Sequence, residues 1–299
     1  MKMMNRKIRI ESLIAKTGIN LILIALCITC LVPIISIISI AFSEESDIVN
    51  YGYKLIPRDI SISALKMIFK DPESILNGYG VSFFITVVGS TLGLAVCSLI
   101  SYPLTRESFA YRKQLSFYVT FTILFSGGMI PTYILMTQYL GLKNSLWALI
   151  LPNIANVWHI FLLRTFFAAI PSSLIEAAKL DGAGEFKIFY TVILPLSKTG
   201  LVTVLLFYVL IYWNEWYGSM LYITDENKLS LQYLLVRLMN NIDFMRKNAA
   251  MLAGVKMSEM PKEAARMAMC LVAAGPMLVI FPFFQKHFVK GLTVGAVKG

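Results

Sequence analysis

The sequence predicts an all-α membrane protein of six transmembrane helices, and three observations carry that prediction. Hydrophobic residues make up 57% of the 299 positions and charged residues 15%, with a mean hydropathy of +0.70. That is too apolar for a water-soluble domain of this size. Six stretches approach or exceed the roughly 20 apolar residues a helix needs to cross about 30 Å of hydrocarbon. Basic residues are also shared unequally between the two alternating sets of connecting segments.

The first span, Ile19–Phe42, follows a basic stretch. Its apolar run exceeds the roughly 7–15 residues of a signal sequence and no small-x-small cleavage site follows, so it is read as an uncleaved anchor. Cys27 and Cys30 form a C-x-x-C, which in a soluble chain would suggest redox chemistry or half a zinc site. Inside an apolar span they are small residues one turn apart, and Cys97 and Cys270 also lie in spans. Ser43–Gly80 is rich in charge and turn residues (Pro57, Pro72, Gly78), with a weak helical pattern around Ala64–Phe69.

The second span is Val81–Leu104. The third, Leu115–Gln138, carries Gly127-Gly128 and Pro131, and the fourth, Ser145–Leu163, carries Pro152, Asn153 and Asn156. The fifth is Thr199–Ile223; the sixth and shortest, Met267–Phe284, holds Gly275-Pro276 and Pro282. Proline is tolerated there when neighbouring helices satisfy the freed carbonyls. Such irregularities suit a bundle that changes shape, and they occur in static bundles too. Between the last two spans, Thr224–Arg266 opens on a turn-like TDEN and continues into LSLQYLLVRLM, whose spacing predicts a short amphipathic helix. It and Ser43–Gly80 are read either as docking surfaces for an external partner or as plain connectors.

Charge sets the orientation. The amino terminus, Thr105–Gln114, Arg164–Lys198 and the tail hold 15 basic and 5 acidic residues; Ser43–Gly80, Tyr139–Asn144 and Thr224–Arg266 hold 12 and 11. Positively charged loops stay inside, so both termini and Arg164–Lys198 are expected in the cytoplasm. The net +10 thereby needs no nucleic acid to explain it.

Several function classes lack their sequence signals. There is no G-x-x-x-x-G-K-[ST] to cradle ATP phosphates, no H-E-x-x-H, no G-x-S-x-G and no metal-spaced His/Cys cluster. No internal repeat of the kind found in secondary transporters is visible. Only Glu215 and His159 are ionisable well inside spans, against the paired groups of proton-coupled carriers.

The segment Glu176–Pro195, EAAKLDGAGEFKIFYTVILP, is a polar insertion between two spans. Ser173-Leu174-Ile175-Glu176 fits a capping box, and Pro171 discourages continuation of the preceding helix. A short helix from about Leu174 to Leu180 would break at Asp181-Gly182, where glycine can take a positive φ. A second would run through Phe186–Val192 and stop near Pro195. On this reading Glu176 is a capping residue, a docking residue, or both.

Glu176, Ala177, Ala178, Asp181, Gly182, Ala183, Leu194 and Pro195 match the register of the EAA loop in membrane subunits of binding-protein-dependent ABC importers, with Val192 in place of the usual Ile. The tail FPFFQKHFVKGLTVGAVKG resembles carbohydrate-importing permeases of the maltose and complex-polysaccharide type through Gln285, Phe288, Gly291, Gly295, Lys298 and Gly299, although His287 stands where an aromatic is more usual. Tyr212-Trp213-Asn214-Glu215-Trp216-Tyr217 is similar to the W-N followed by acidic and aromatic residues in their fifth span. At 100° per residue Tyr208, Tyr212, Glu215, Ser219 and Tyr222 share one side of a continuous helix. With Trp216 they are read as a substrate pathway, where rings pack on sugar faces; the alternative is an interfacial aromatic belt.

The resemblance implies a type I ABC importer permease-like bundle with a cytoplasmic coupling helix that sits in a cleft of an ATPase. It further implies a bacterial cytoplasmic (inner) membrane location and no cofactor in this chain, with ATP and Mg in the ATPase subunits. The partners implied are a second, homologous permease (as a heterodimer), two copies of the ABC ATPase, an extracytoplasmic solute-binding protein, an oligosaccharide cargo and membrane lipid. A non-sugar ABC permease for an amino acid, peptide or ion remains an alternative, as do an ATP-independent carrier and an intramembrane enzyme.

Overall fold

The computed structural model describes residues 2–247 and 262–296, with side chains described for 16–245, 247 and 262–285. Among the described residues the regular structure is helical throughout, apart from one isolated bridge between Ser43 and Ile60.

Helix α1 (Lys2–Ala41) contains the first predicted span up to Ala41, and its Ile and Leu side chains from Ile19 to Ile35 are exposed, as suits an apolar helix in lipid. Two short helices follow, α2 (Glu45–Tyr51) and α3 (Ser63–Ile68), the latter on the weak pattern seen in the sequence. Helix α4 (Pro72–Leu104) starts where Asp71 accepts the Ser74 amide and Pro72 occupies the first turn. Its 33 residues extend about 50 Å, well beyond the second predicted span.

The next three predicted spans are each interrupted. The third consists of α5 (Arg112–Leu124) and α6 (Met129–Ile134) with a π-helical continuation Leu135–Tyr139, bent by 112° around Gly127-Gly128, where Gly128 has φ +83°. The fourth consists of α7 (Trp147–Ile150) with a 3-10 turn Leu151–Asn153, then α8 (Val157–Ala168), at 52°. Pro152 removes one ladder donor there, and the Asn156 side chain starts α8 by accepting the His159 amide at 3.3 Å. After α9 (Ser172–Leu180) come α10 (Glu185–Ile188), a π-helical stretch Phe189–Ile193, and α11 (Leu194–Leu196). The path then turns by 81° into α12 (Lys198–Trp213).

The fifth predicted span is not one helix. It ends at Trp213 and resumes as α13 (Tyr217–Tyr222), with Asn214 folding its side-chain amide back onto the Leu210 carbonyl at 2.8 Å. A 3-10 turn at Glu226–Lys228 and α14 (Leu231–Lys247) follow, in agreement with the turn and amphipathic helix expected there. Helix α15 (Glu263–Ala296) contains the sixth span with Pro276 and Pro282 inside it. By length and composition, Lys16–Ala41, Pro72–Leu104 and Glu263–Gln285 suffice to cross a membrane alone, and the three bent pairs bring the total to as many as six.

The chain divides into two compact units. The first comprises Met1–Lys70 and Met239–Gly275. In it the buried Glu45 carboxylate accepts the Glu263 and Ala264 amides at 3.1 Å, satisfying free donors at the start of α15. The second comprises Asp71–Leu238 and Pro276–Gly299, and it holds the main apolar core around Ile85, Leu104, Ile150, Leu163, Ile193 and Tyr208. Within it Asn144, at φ +59°, accepts the Thr224 and Asp225 amides, so the turn after the third span holds the segment leaving α13.

Candidate functional site

The EAA-like loop closes by a Schellman motif. Asp181 ends α9, Gly182 follows at φ +75°, the Gly182 amide bonds the Lys179 carbonyl at 3.0 Å and the Ala183 amide bonds the Ala178 carbonyl at 2.9 Å. Ala178 and Ala183 are half-buried against the core, whereas Glu176, Ala177, Asp181 and Gly182 are exposed. The apolar Leu180, Phe186 and Tyr190 are also exposed, Leu180 by 90%. The break at Gly182 is where the sequence puts it.

One local expectation is corrected. Pro171 is the N-cap, so α9 begins at Ser172 and no side chain caps it. Ser173 and Glu176 therefore lie inside the helix and form no capping box, which leaves Glu176 on the outer surface. The second helix begins at Glu185 and ends at Leu196, so it stops near Pro195 as expected, with the turn at Ser197. The π-helical register just before Leu194 shifts the hydrogen-bond ladder past the amide that Pro195 lacks. Leu194 is half-buried and Pro195 exposed at this joint.

Glu185, which the sequence does not single out, joins three elements. Lys179 of α9 reaches one carboxylate oxygen at 2.8 Å, and the Tyr102 hydroxyl near the end of α4 donates to the other at 2.6 Å. The Lys179 hydrogen bond, then that of Tyr102, hold the Glu185 carboxyl below the usual carboxylate range. Arg106 stacks on the Tyr102 ring at 4.5 Å, and these residues border a cavity of about 490 Å³ with Leu99, Phe186 and Phe189.

The expected stripe on the fifth span does not exist as one surface. Tyr208 and Tyr212 are both 0% exposed. They pack on α4 at Gly93 and Gly89, where an added Cβ would come within 2.6 Å of each ring. The Tyr208 hydroxyl donates to the Ile154 carbonyl at 2.9 Å and that of Tyr212 to the Ile150 carbonyl at 2.8 Å. Both carbonyls were released by the break in the fourth span. Ser219 is also fully buried and accepts the Ser230 amide at 3.0 Å. The physical reason is the break at Asn214, beyond which a continuous 100° projection no longer applies.

Glu215 and Trp216 lie in that break. Glu215 accepts the Gly218 amide and borders a cleft of about 340 Å³, and Trp216 is exposed, edge-on to Tyr217. The cleft is lined by all three interrupted spans: Ser126, Gly128 and Thr132 from the third, Pro152 and Asn153 from the fourth, Glu215, Tyr217 and Tyr222 from the fifth. Ser126, Thr132 and Tyr217 were not expected as site residues; the helix-breaking sets Gly127-Gly128 with Pro131 and Pro152 with Asn153 were the available signal. In the tail Gln285 is exposed, and the side chains of His287, Phe288, Gly291, Gly295, Lys298 and Gly299 lie outside the described residues.

Among known proteins, the family model described as "Binding-protein-dependent transport system inner membrane component" matches residues 80–294. The polygalacturonan/rhamnogalacturonan transport system permease protein YtcP of Bacillus subtilis is 39% identical, over 93% of this chain and 96% of its own. The trehalose/maltose transport system permease protein MalG of Thermococcus litoralis is 27% identical over 92% and 94%. A chain in the crystal structure of a bacterial ABC transporter involved in the import of the acidic polysaccharide alginate superposes with a TM-score of 0.76 at 28% identity, covering 90% of this chain and 95% of that one.

Proposed function

Because the chain belongs to the family of binding-protein-dependent transport system inner membrane components, we propose that it forms part of the path by which an oligosaccharide enters the cytoplasm by alternating access. It is a multi-pass inner-membrane permease of an ABC sugar or oligosaccharide importer, not itself an ATPase, and such a complex contains a partner permease, an ATPase and a binding protein. The observation that carries the proposal is the convergence of three broken spans on one cleft lined by Glu215, Asn153 and the hydroxyl-bearing Ser126, Thr132, Tyr217 and Tyr222. Broken helices concentrate free backbone groups where a polar cargo can use them.

In this reading the partner permease is a different but homologous chain, and two ATPase copies supply ATP and Mg while this chain holds no cofactor. Glu176, Ala177, Asp181 and Gly182 face the ATPase together with the exposed apolar Leu180 and Phe186, and the Schellman turn fixes the angle they present. Ala178 and Ala183 seat the loop on the core, and Leu194 and Pro195 form the joint to α12. The cargo is a fragment of a plant or algal polysaccharide, a reading supported by relatives named for polygalacturonan/rhamnogalacturonan and alginate. In the reconstituted complex, galacturonate-containing oligosaccharides should stimulate ATP hydrolysis more than maltose or arabino-oligosaccharides. Glu215→Gln should lower sugar uptake about fivefold in a normally assembled complex, the net worth of about one hydrogen bond. Stimulation by amino acids or peptides instead would overturn the cargo class, and unchanged uptake would remove Glu215 from the path.

Both termini and the EAA-like loop are cytoplasmic in this reading, with Ser43–Gly80 and Thr224–Arg266 outside, on the division of basic residues. Single cysteines at the exposed positions Lys187 and Asn227, in a background without other cysteines, test it. An impermeant thiol reagent applied outside should label Asn227→Cys and spare Lys187→Cys; equal labelling contradicts this orientation.

A further inference from the structure

We infer that Glu185 is a positioning residue that ties the coupling loop directly to the second span, so that movement of α9 is passed to α4 through a side-chain contact as well as along the chain. This rests on the reading of the EAA-like loop as the ATPase contact. The covalent routes out of the loop are both interrupted: one leaves through Pro171, the other through a π-helical stretch and an 81° turn. The contact at Glu185 is short and bypasses both. Lys179 and Tyr102 take the two carboxylate oxygens at 2.8 and 2.6 Å, so α9, α10 and α4 share one charged group.

What α4 receives there it can carry to the cleft. Thirteen residues before Tyr102, Gly89 holds the ring of Tyr212, and Gly93 holds that of Tyr208. Their hydroxyls grip the Ile150 and Ile154 carbonyls on either side of Pro152 and Asn153, which line the cleft. The cavity of about 490 Å³ beside Tyr102 and Phe186 leaves space for the contact at Glu185 to open and close. Packed steps with two discrete arrangements transmit a displacement, and coupling between the partners is the measurable sign of it.

The test is a double-mutant cycle in the assembled complex with its ATPase and binding protein. Tyr102→Phe removes one oxygen and Glu185→Gln one charge. Each should lower the ratio of stimulated to unstimulated ATP hydrolysis about fivefold, the size expected for the net loss of one hydrogen bond at a half-exposed site. The double variant should be no worse than either single one. Subunit stoichiometry should stay at the wild-type value throughout, a readout that loss of loop structure would change. Unchanged ratios, additive losses or loss of the ATPase from the complex would each overturn the inference. Gly182→Val separates the two levels: if it disturbs stimulation while Tyr102→Phe and Glu185→Gln do not, only the tie to α4 is wrong. If Gly182→Val also leaves stimulation intact, the coupling reading itself fails.

Discussion

Gly93→Val should prevent the permease from accumulating in folded form. The valine would meet the Tyr208 ring at a separation that real contacts do not show, since a single Cβ already lies at 2.6 Å. The ring cannot yield freely, because its hydroxyl is held by the Ile154 carbonyl and the Asn156 amide at 2.9 and 3.3 Å. Overpacking of this kind costs about 1–3 kcal/mol, and displacing the hydroxyl leaves a buried carbonyl unpaired for a further 1–3 kcal/mol or so. That sum is a large share of the roughly 5–15 kcal/mol that keeps a typical domain folded. Gly80→Val is the internal control, being in the same helix with open space beside it. The amount of assembled complex and its thermal unfolding temperature should fall for Gly93→Val and stay near wild type for Gly80→Val. Tyr212→Ala belongs with the first group, as an assembly defect and not as a selective loss of transport; normal assembly with lost uptake would return Tyr212 to the pathway.

Gly182→Val should separate transport from ATP hydrolysis. A β-branched residue at φ +75° costs more than about 1 kcal/mol and favours a different turn, which would re-aim α9 relative to α10. No atom crowds the position, so the effect comes from the backbone alone. The complex should still assemble, uptake should collapse, and hydrolysis should cease to respond to loaded binding protein. Asn tolerates the left-handed region, so Gly182→Asn should retain most of the function. A Gly182→Val complex whose hydrolysis responds normally would show that this turn does not set the coupling geometry.

The sequence disclosed the positions where helices fail more readily than the faces they present. Gly127-Gly128, Pro152 with Asn153, and Asp181-Gly182 all act locally, through φ or a missing amide, and each break lies where those residues stand. The EAA register is likewise a local pattern, and its glycine and alanines fall on the atoms that close the Schellman turn. The tyrosine stripe failed because it assumed an unbroken helix through Asn214 and because burial depends on which neighbour arrives. Gly89 and Gly93 are distant in sequence from Tyr212 and Tyr208, and nothing near either pair announces the other. The same distance hid Glu185, whose significance comes from Tyr102, 83 positions away. The capping box failed for a smaller reason: with Pro171 as its N-cap, the helix starts two residues too early for it.

The two tyrosine hydroxyls also constrain the order in which the protein can be built. They lie 54 and 62 residues downstream of the carbonyls they satisfy, so the fourth span is synthesised well before its partners exist. Left alone in hydrocarbon, each bare carbonyl would cost several kcal/mol. Until α12 emerges, water or the insertion machinery must serve those groups. Spans four and five therefore reach their final depth as a pair, with the earlier one waiting for the later.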